Sequence, residues 1–477
     1  MRNIDTERCV SARGGRFAVK GVVALPAGME DIGRVADVWP AAEVERIEVN
    51  DGAATVSGRV RLAVMYISKD GGTYGFVSET AFEHTVTCEG LSENMNVAAR
   101  VTCGRESHRV ADGTSIDVEA ELTCTLIASE NAKTEVWDDD AKDIYIKEAA
   151  FPVPELIDIK TVKARAKTEL SAEGASDVLS SWGEAVITRI TKEAGSCAVE
   201  AELTLFIVLA AEGGEKVIAK KAPFGAVIDL TGFDGDCEAA IDLDVERVGA
   251  HMISAETAEA AAQIAVTCHA VRIREERAAC DAFSSACELT PQLLDIPLSF
   301  ESRGQTEVHT VTMKAAIPDG YAPAASVLFA RGRASVDKTE TEGGSAYASG
   351  TIEVSLCYKA EEAGIRNAVL KLPFRERAGA AAAGSSQRAW ASVISAECSG
   401  SGRDIDIRCE LALCTHNEKI TTVTIMSGAE RGAQRQKRKS GVTVIEKGGD
   451  LWEVSKQMGT SPADAVIKNG HIRLIRR

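Results

Sequence analysis

The chain has 477 residues, of which 45% are hydrophobic and 26% are charged, a composition typical of a globular protein with room for three or four domains. Its net charge is −17, which argues against nucleic acid as the main partner because phosphate binding needs a broad basic face. No stretch approaches the roughly 18 apolar residues of a membrane helix, and the N-terminal stretch lacks the apolar core of a secretory signal. We therefore expect no transmembrane segment and a cytoplasmic location.

The first clear element is a strand, a tight turn and a second strand. Apolar residues occupy every second position from Val60 to Tyr66, the period of a strand with one buried face. Asp70-Gly71-Gly72 predicts a hairpin turn, after which the chain leads to Phe82. Related copies occur twice more, with alternating residues Leu203, Leu205, Ile207 and Leu209 in the second and Ile352, Val354, Leu356 and Tyr358 in the third.

The spacing within these copies supports a true repeat. Gly58 precedes Phe82 by 24 positions, and Gly350 precedes Phe374 by the same number. A Tyr stands sixteen positions before the Phe in the first and third copies, where the second copy has Val208 before Phe224. We interpret the Phe positions as buried anchors at strand starts.

Each copy has matching flanks. Upstream, short apolar segments are interpreted as helical turns, and downstream a strictly alternating strand follows, which extends each repeat to a domain of roughly 110 to 150 residues. The upstream segments are residues 31–38, 176–182 and 324–329. The sequence therefore predicts a mainly β protein with three tandem antiparallel domains of sandwich or partly closed barrel type, each with one small helix.

The predicted domains span residues 1–134, 135–276 and 277–426. Two prolines in Phe151-Pro152-Val153-Pro154 predict an extended joint after the first domain. From Arg431 onward the tail carries eleven Lys or Arg against four Asp or Glu, a charge of +7, which leaves −24 for residues 1–430. Residues 427–440 are interpreted as a basic linker, with contact to RNA or an anionic membrane as the alternative.

The tail, residues 441–477, has a different pattern. Val442 to Ile445 is apolar and predicts a short strand, and Asp450 is a good N-cap for a helix from Leu451 to Met458. Ser461, Pro462 and Asp464 form a second helix-start signal, and Asn469-Gly470 a C-cap signal. With a closing strand over residues 472–475, the tail is predicted to be a small βααβ module.

No catalytic motif or metal-ligand set emerges. The thirteen cysteines include no CxxC pair, and we interpret them as reduced core thiols. Cys268-His269 and Cys414-Thr415-His416 place soft ligands close together, but neither has a second ligand pair to complete a tetrahedral zinc site. The sequence also lacks G-x-S-x-G, Walker and H-E-x-x-H motifs. We expect no enzyme activity, no cofactor and no metal.

The tail resembles a LysM domain. The matching residues are Lys447-Gly448-Gly449-Asp450-Leu451-Trp452-Glu453-Val454-Ser455-Lys456, followed by Gly459-Thr460-Ser461, Ile467 and Asn469. Gly449 and Asp450 depart from the usual line, and the segment after Asn469 is shortened. Small docking modules bind through a few apolar anchors, so the predicted partner- or glycan-binding residues are Gly448, Asp450, Leu451, Trp452, Val454, Met458, Ile467 and Asn469.

Three such β domains, an Asp281-Ala282-Phe283-Ser284 element and one C-terminal LysM-like module together resemble the SPOCS-repeat proteins of spore-forming Firmicutes, the SipL/SpoVID group of spore coat morphogenetic proteins. The resemblance implies a non-catalytic scaffold in the mother-cell cytoplasm at the forespore surface. It also implies docking of a coat basement-layer ATPase of the SpoIVA type through the LysM-like module, with self-association possible.

Three alternatives remain open. The LysM resemblance also fits a protein that binds peptidoglycan or a chitin-like glycan through the same residues. The β repeats, rather than the tail, could contact the partner. Trp452 could be the core residue of the tail or a partly exposed anchor on a partner.

Overall fold

The computed structural model describes residues 1–139, 141–303, 306–360, 364–435, 441–445, 450–468 and 471–476. The described chain is mainly β, as predicted, and its sheets are antiparallel throughout. They form three two-sheet sandwiches and one small sheet in the tail.

The first sandwich has two three-stranded sheets, ordered β1-β6-β5 and β2-β3-β4. Between them lies one core that holds the predicted alternating residues, with Val64 and Tyr66 fully buried. The strands are β1 Arg2–Ala24, β2 Ile32–Asn50, β3 Ala53–Ser68, β4 Thr73–Thr87, β5 Asn96–Asp112 and β6 Ser115–Val136.

The second sandwich repeats this plan with sheets ordered β11-β12-β7 and β10-β9-β8. Its core contains the second set of alternating residues, Leu203 to Leu209. The strands are β7 Ile144–Ser171, β8 Ala175–Glu193, β9 Ser196–Ala211, β10 Gly214–Asp229, β11 Cys237–Met252 and β12 Thr257–Ser284.

The third sandwich has sheets ordered β13-β19-β14 and β15-β16-β17, with β18 also paired to β19. Its core contains Ile352 to Tyr358. The strands are β13 Cys287–Arg303, β14 Glu307–Ala316, β15 Ala324–Glu342, β16 Ser345–Ala360, β17 Gly364–Ala380, β18 Ser386–Ser399 and β19 Asp404–Gln434.

The prediction of one small helix in each domain is wrong. Residues 31–38, 176–182 and 324–329 lie almost wholly within strands β2, β8 and β15, and no α-helix occurs in the described residues before 450. Two β-bulges in β2, after Ile32 and after Val35, shift the pairing register, so that buried Ile32 and Ala36 are four residues apart. A bulge breaks the two-residue period of a strand, and the resulting spacing imitates a helix.

The bulges recur at the same places in all three sandwiches. Strands β2, β8 and β15 each contain three register shifts. Every shift in β8 lies 143 residues after the matching shift in β2, and every shift in β15 lies 292 residues after it. The three positions are Ile32, Val35 and Val44; Ala175, Val178 and Ile187; and Ala324, Val327 and Val336.

A buried tyrosine provides a second correspondence. The Tyr66 hydroxyl donates to the Glu30 carbonyl over 2.8 Å, and the Tyr358 hydroxyl donates to the Ala322 carbonyl over the same distance. In the second sandwich the hairpin is shorter by one residue, and Ala201 faces Phe224 as Gly58 faces Phe82. By register, Leu209 and not Val208 therefore takes the tyrosine position.

The three sandwiches meet at Arg331. This side chain is fully buried, its Nη1 lies 2.7 Å from Asp37 Oδ2, and its Nη2 donates to Ser180 Oγ over 2.7 Å. Its guanidinium also stacks 4.0 Å from the centre of the Trp182 ring and 5.0 Å from that of Trp39. Around it lies a separate apolar cluster with residues from all three sandwiches, including Met65, Val208, Phe329 and Cys357.

Three strand pairs, β1–β6, β7–β12 and β13–β19, extend past the sandwiches as ribbons, and we call these extensions the stalk. Their inner residues pack into one cluster, with Ile4 and Val136 from the first pair, Phe151, Val153 and Ala278 from the second, and Ile296, Leu298 and Ile425 from the third. The predicted joint at 151–154 lies within β7, paired with β12.

Residues 427–434 were predicted to be linker but continue strand β19, paired with β13. That part of the prediction is wrong, because β13 continues its antiparallel pairing with β19 as far as Cys287. Residues 436–440 lie outside the described residues.

The tail contains β20 Gly441–Ile445, α1 Leu451–Met458, a 3₁₀ turn Pro462–Asp464, β21 Ala465–Lys468 and β22 His471–Arg476, with sheet order β20-β22-β21. The predicted second helix is wrong. Ser461 does form a local cap, since its Oγ accepts from the Ala463 N–H over 3.2 Å, but the chain then pairs as a strand with β22. The β-branched Val466 and Ile467 favour that pairing. The predicted C-cap, Asn469-Gly470, lies outside the described residues.

No helix in the described parts of the chain is long and apolar enough to cross a membrane.

Candidate functional site

Helix α1 forms where the sequence predicts it, with both ends capped. Asp450 is the N-cap, and its Oδ1 accepts from the Trp452 N–H over 2.9 Å. Gly459 takes a left-handed conformation with φ of 61°, and its N–H reaches the Lys456 and Ser455 carbonyls. The caps fix the start and end of this helix, and so the direction in which Trp452 and Lys456 project.

Both side chains project onto the stalk. The Trp452 ring meets Phe283 of β12 edge to face, with ring centres 5.1 Å apart, and its Nε1 donates to Asp281 Oδ2 over 2.7 Å. Lys456 Nζ donates to both Asp281 oxygens, over 2.6 and 2.7 Å. One carboxylate of the stalk thus accepts three hydrogen bonds from one turn of the tail helix.

These contacts determine the protonation of Asp281. Burial alone would raise its pKa, but the hydrogen bonds from Lys456 and Trp452 outweigh burial, and the pKa of Asp281 is lowered. The carboxylate is therefore ionised at neutral pH, which is the state that can accept from both donors.

Further contacts surround this site. Arg435 donates from Nη1 to the Lys456 carbonyl over 3.0 Å and from Nε to the Cys287 carbonyl over 3.1 Å. Lys147 of β7 lies 3.5 Å from Asp450, and the Tyr145 ring packs 5.1 Å from Phe283. The site is therefore built by β7, β12, the start of β13 and Arg435 just after β19, together with the tail.

The predicted binding residues are only partly brought together here. Trp452 lies at the contact with the stalk, Val454 is buried, and Leu451 and Met458 are half-buried. Asp450 is an exposed cap, and Ile467 lies in β21 opposite Ile472. Gly448 and Asn469 lie outside the described residues. Binding by these residues stays a prediction.

Sequence reasoning missed the stalk half of the site. Asp281 and Phe283 were noted as part of a family element, and Lys456 as part of the LysM line, but nothing predicted their contact. They are separated by about 170 residues, and no periodic pattern links them. An acidic and a basic residue this far apart in sequence show no pattern that predicts their pairing. Their contact is visible only in the folded structure.

A second group of polar side chains lies where the stalk leaves the sandwiches. His269 Nε2 lies 2.7 Å from Glu7 Oε1, while His416 Nε2 lies 3.1 Å from Glu301 Oε2. His269 Nδ1 is 3.7 Å from the same Glu301 oxygen, and the Ser129 hydroxyl donates to Glu7 over 2.7 Å. We call these five residues the junction cluster, and they join all three sandwiches.

In the junction cluster, the neighbouring His and Glu side chains shift the pKa values of His269 and Glu301. Burial lowers the pKa of His269, but Glu7 and Glu301 outweigh burial, so the pKa is raised. Burial likewise raises the pKa of Glu301, but His416 and His269 outweigh it, so the pKa is lowered. The cluster therefore joins the sandwiches through paired His and Glu side chains, of which Glu7 and His269 are buried and Glu301 and His416 are half-buried.

Cys268 faces the opposite way from His269, into the second core, where it contacts the thiol of Cys197. Adjacent strand residues point to opposite faces, so Cys268-His269 does not form one ligand pair. Within the described ranges, no group of three or more His, Cys, Asp or Glu residues could hold a metal ion.

Comparison with known protein families gives one match. Residues 31–111 match the family described as SipL, SPOCS domain. The matched segment covers β2 to β4 and nearly all of β5, which includes the first predicted repeat and Asp37 of the Arg331 contact. The predicted SPOCS resemblance is confirmed for this segment, and it links the chain to sporulation. Comparisons with curated proteins and with solved structures gave no match.

Proposed function

We propose that this chain, which carries a SPOCS domain of the SipL type at residues 31–111, is a non-catalytic scaffold in assembly of the spore envelope. The observation that carries the proposal is the family match. The proposed location is the mother-cell cytoplasm at the forespore surface, where a spore coat is built.

We further propose that the second and third sandwiches are also SPOCS repeats. The three bulges at constant offsets support this, because bulges re-aim a strand and tend to be kept within a family. The equal hydrogen bonds of Tyr66 and Tyr358 support it for the first and third copies. A scaffold gains from such a plan, since three sandwiches fixed around Arg331 present their outer faces in constant directions.

The proposed docking module is the LysM-like tail. Its candidate residues are Gly448, Asp450, Leu451, Trp452, Val454, Met458, Ile467 and Asn469, and its proposed partner is a coat basement-layer ATPase of the SpoIVA type. The capped helix that carries Trp452 supports this, because binding energy tends to concentrate in Trp, Tyr and Arg anchors.

The absence of catalysis is part of the proposal. The His and Glu residues of the junction cluster are paired with one another, which accounts for them as structural contacts.

The test is capture of the purified coat ATPase by immobilised full-length protein, with peptidoglycan and chitin beads in parallel. The variants are Trp452→Ala and, as a matched control, Tyr321→Ala, whose ring is exposed on a loop of the third sandwich. The proposal expects capture by the parent and the control, and loss of capture with Trp452→Ala.

Two other results would replace the proposal. Capture that does not depend on Trp452 would move docking to the sandwiches. Retention on glycan beads that depends on Trp452, without capture of the ATPase, would identify a glycan-binding protein instead.

A further inference from the structure

The face of α1 that carries Trp452 and Lys456 is already occupied. The occupant is Asp281 and Phe283 of the stalk, two residues apart on one face of β12. We call the Trp452–Lys456 surface the latch face. Its occupant combines a carboxylate with an aromatic ring, presented on an extended strand.

The chemistry of this contact is specific. An indole N–H and an ammonium group both need acceptors once partly removed from water, and a carboxylate can satisfy them together. Charge-assisted hydrogen bonds are also stronger than neutral ones. The ring of Phe283 then adds an edge-to-face contact, which favours an aromatic residue over an aliphatic one.

The other contacts between the tail and the stalk are weaker than those made by Asp281. The Lys147–Asp450 pair is 3.5 Å apart and both side chains are about half exposed, an arrangement that contributes little. Arg435 bridges the Cys287 carbonyl of the stalk and the Lys456 carbonyl of the tail, but both acceptors are neutral. Asp281 is thus the main electrostatic tie between stalk and tail.

The contact is also accessible to competition. The side chains of Lys456 and Asp281 remain 32% and 19% exposed, so solvent reaches the rim of the ion pair. The tail is a small module of about 36 residues with one helix, so few contacts hold it against the stalk. A competing ligand therefore has to replace a small number of contacts.

We propose that the latch face recognises a carboxylate followed two residues later by an aromatic ring on an extended strand, and that Asp281 and Phe283 keep it closed until a partner with this acidic-aromatic chemistry displaces them. This rests on the proposed function insofar as the tail is the docking module. It adds the chemistry of the partner segment and an autoinhibitory contact.

The test uses two full-length variants whose defects are complementary. Asp281→Lys places a cation opposite Lys456, which frees an intact latch face, while Trp452→Ala/Lys456→Ala damages the latch face and frees an intact stalk. Each variant alone should sediment as the parent does. An equimolar mixture should form a 1:1 complex, because the free latch face of the first variant binds Asp281 and Phe283 of the second.

The matched control is a mixture of Asp281→Lys with Trp452→Ala/Lys456→Ala/Asp281→Asn, in which neither stalk offers a carboxylate at position 281. No complex should form. Hydrogen exchange adds a second readout: in Asp281→Lys the amides of 451–458 should exchange at least about tenfold faster, while β12 residues 258–272 keep their protection.

The proposal is overturned if α1 exchanges at the parent rate in Asp281→Lys, or if α1 is freed and the mixture still sediments as its separate components. Complex formation equal to that of the test pair in the control mixture also overturns it, because recognition would not require the carboxylate. The experiment uses no coat protein, so failure to capture the ATPase leaves its outcome unchanged.

Discussion

Arg331 of the third sandwich lies with its Nη1 2.7 Å from Asp37 Oδ2 of the first, and both side chains are almost completely buried. Burial lowers the pKa of Arg331, while the nearby Asp37 raises it, and the net effect is a lowered value. The same guanidinium donates a hydrogen bond to the Ser180 hydroxyl of the second sandwich. A single residue therefore holds the centre at which the three sandwiches meet.

Replacing Arg331 tests this centre. Arg331→Met should destabilise the protein by about 3–5 kcal/mol, because the buried Asp37 loses its ion-pair partner and keeps only the hydrogen bond from Asn367. The double variant Arg331→Met/Asp37→Leu should recover much of the loss, since an apolar pair of similar volume avoids desolvation of both charges. Denaturant unfolding measures both, and equal losses in the single and double variants would contradict the pairing.

Gly58 provides a prediction on the repeat. A Cβ at Gly58 would clash with the Glu43 carbonyl, and one at Gly350 would clash with the Ser335 carbonyl. Gly58→Ala and Gly350→Ala should therefore each cost about 1–3 kcal/mol or more. Gly235→Ala is the control, because a Cβ there meets no atom within 4 Å, and it should change stability by less than about 0.5 kcal/mol.

Glu184 provides a prediction on pH. Burial raises its pKa to about 7, and the hydrogen bond from the Ser392 hydroxyl only partly opposes burial. A raised folded-state pKa means that the folded protein binds the proton more tightly, so this stabilisation is complete below the ordinary pKa of 4.5 and is lost as pH rises to about 7.

Glu184→Gln should therefore be more stable than the parent at pH 8, by on the order of 1–3 kcal/mol, and close to it at pH 4.5. Urea unfolding at the two pH values measures the difference. A stability difference that does not change with pH would show that Glu184 titrates normally.

His269 of the junction cluster should respond to pH in the same direction. The folded-state pKa of His269 is raised above 6.5, so the stability from its pairing with Glu7 is present below pH 6.5 and lost as pH rises through the raised value. His269→Gln removes this titration and should flatten the pH dependence of stability above pH 6.5. An unchanged slope in the variant would contradict the assignment.

The regular strands were predictable, because alternation alone marks the buried face of β3, β9 and β16. The bulged strands β2, β8 and β15 were not, because each bulge offsets the alternation and leaves a spacing close to that of a helix. In the tail, the cap at Asp450 and helix α1 followed from local chemistry. The second helix failed because strand pairing of Ala465–Lys468 with β22 outweighed a correct local cap signal.

The candidate site was predictable only on its tail side. Trp452 stood out as a large residue in a small module, but its acceptor Asp281 lies 171 residues away along the chain. The same holds for Arg331, whose partners Asp37 and Ser180 belong to other sandwiches. Contacts of this kind depend on how three domains pack, which no local pattern encodes.

The most direct test of the account is the affinity of full-length protein for the purified coat ATPase, compared among the parent, Asp281→Lys and Trp452→Ala. The account predicts that Asp281→Lys, with its latch face open, binds at least about tenfold more tightly than the parent, the gain from removing a competing contact of about 1.4 kcal/mol. It also predicts that Trp452→Ala does not bind. Equal affinities of all three proteins would contradict docking through the tail.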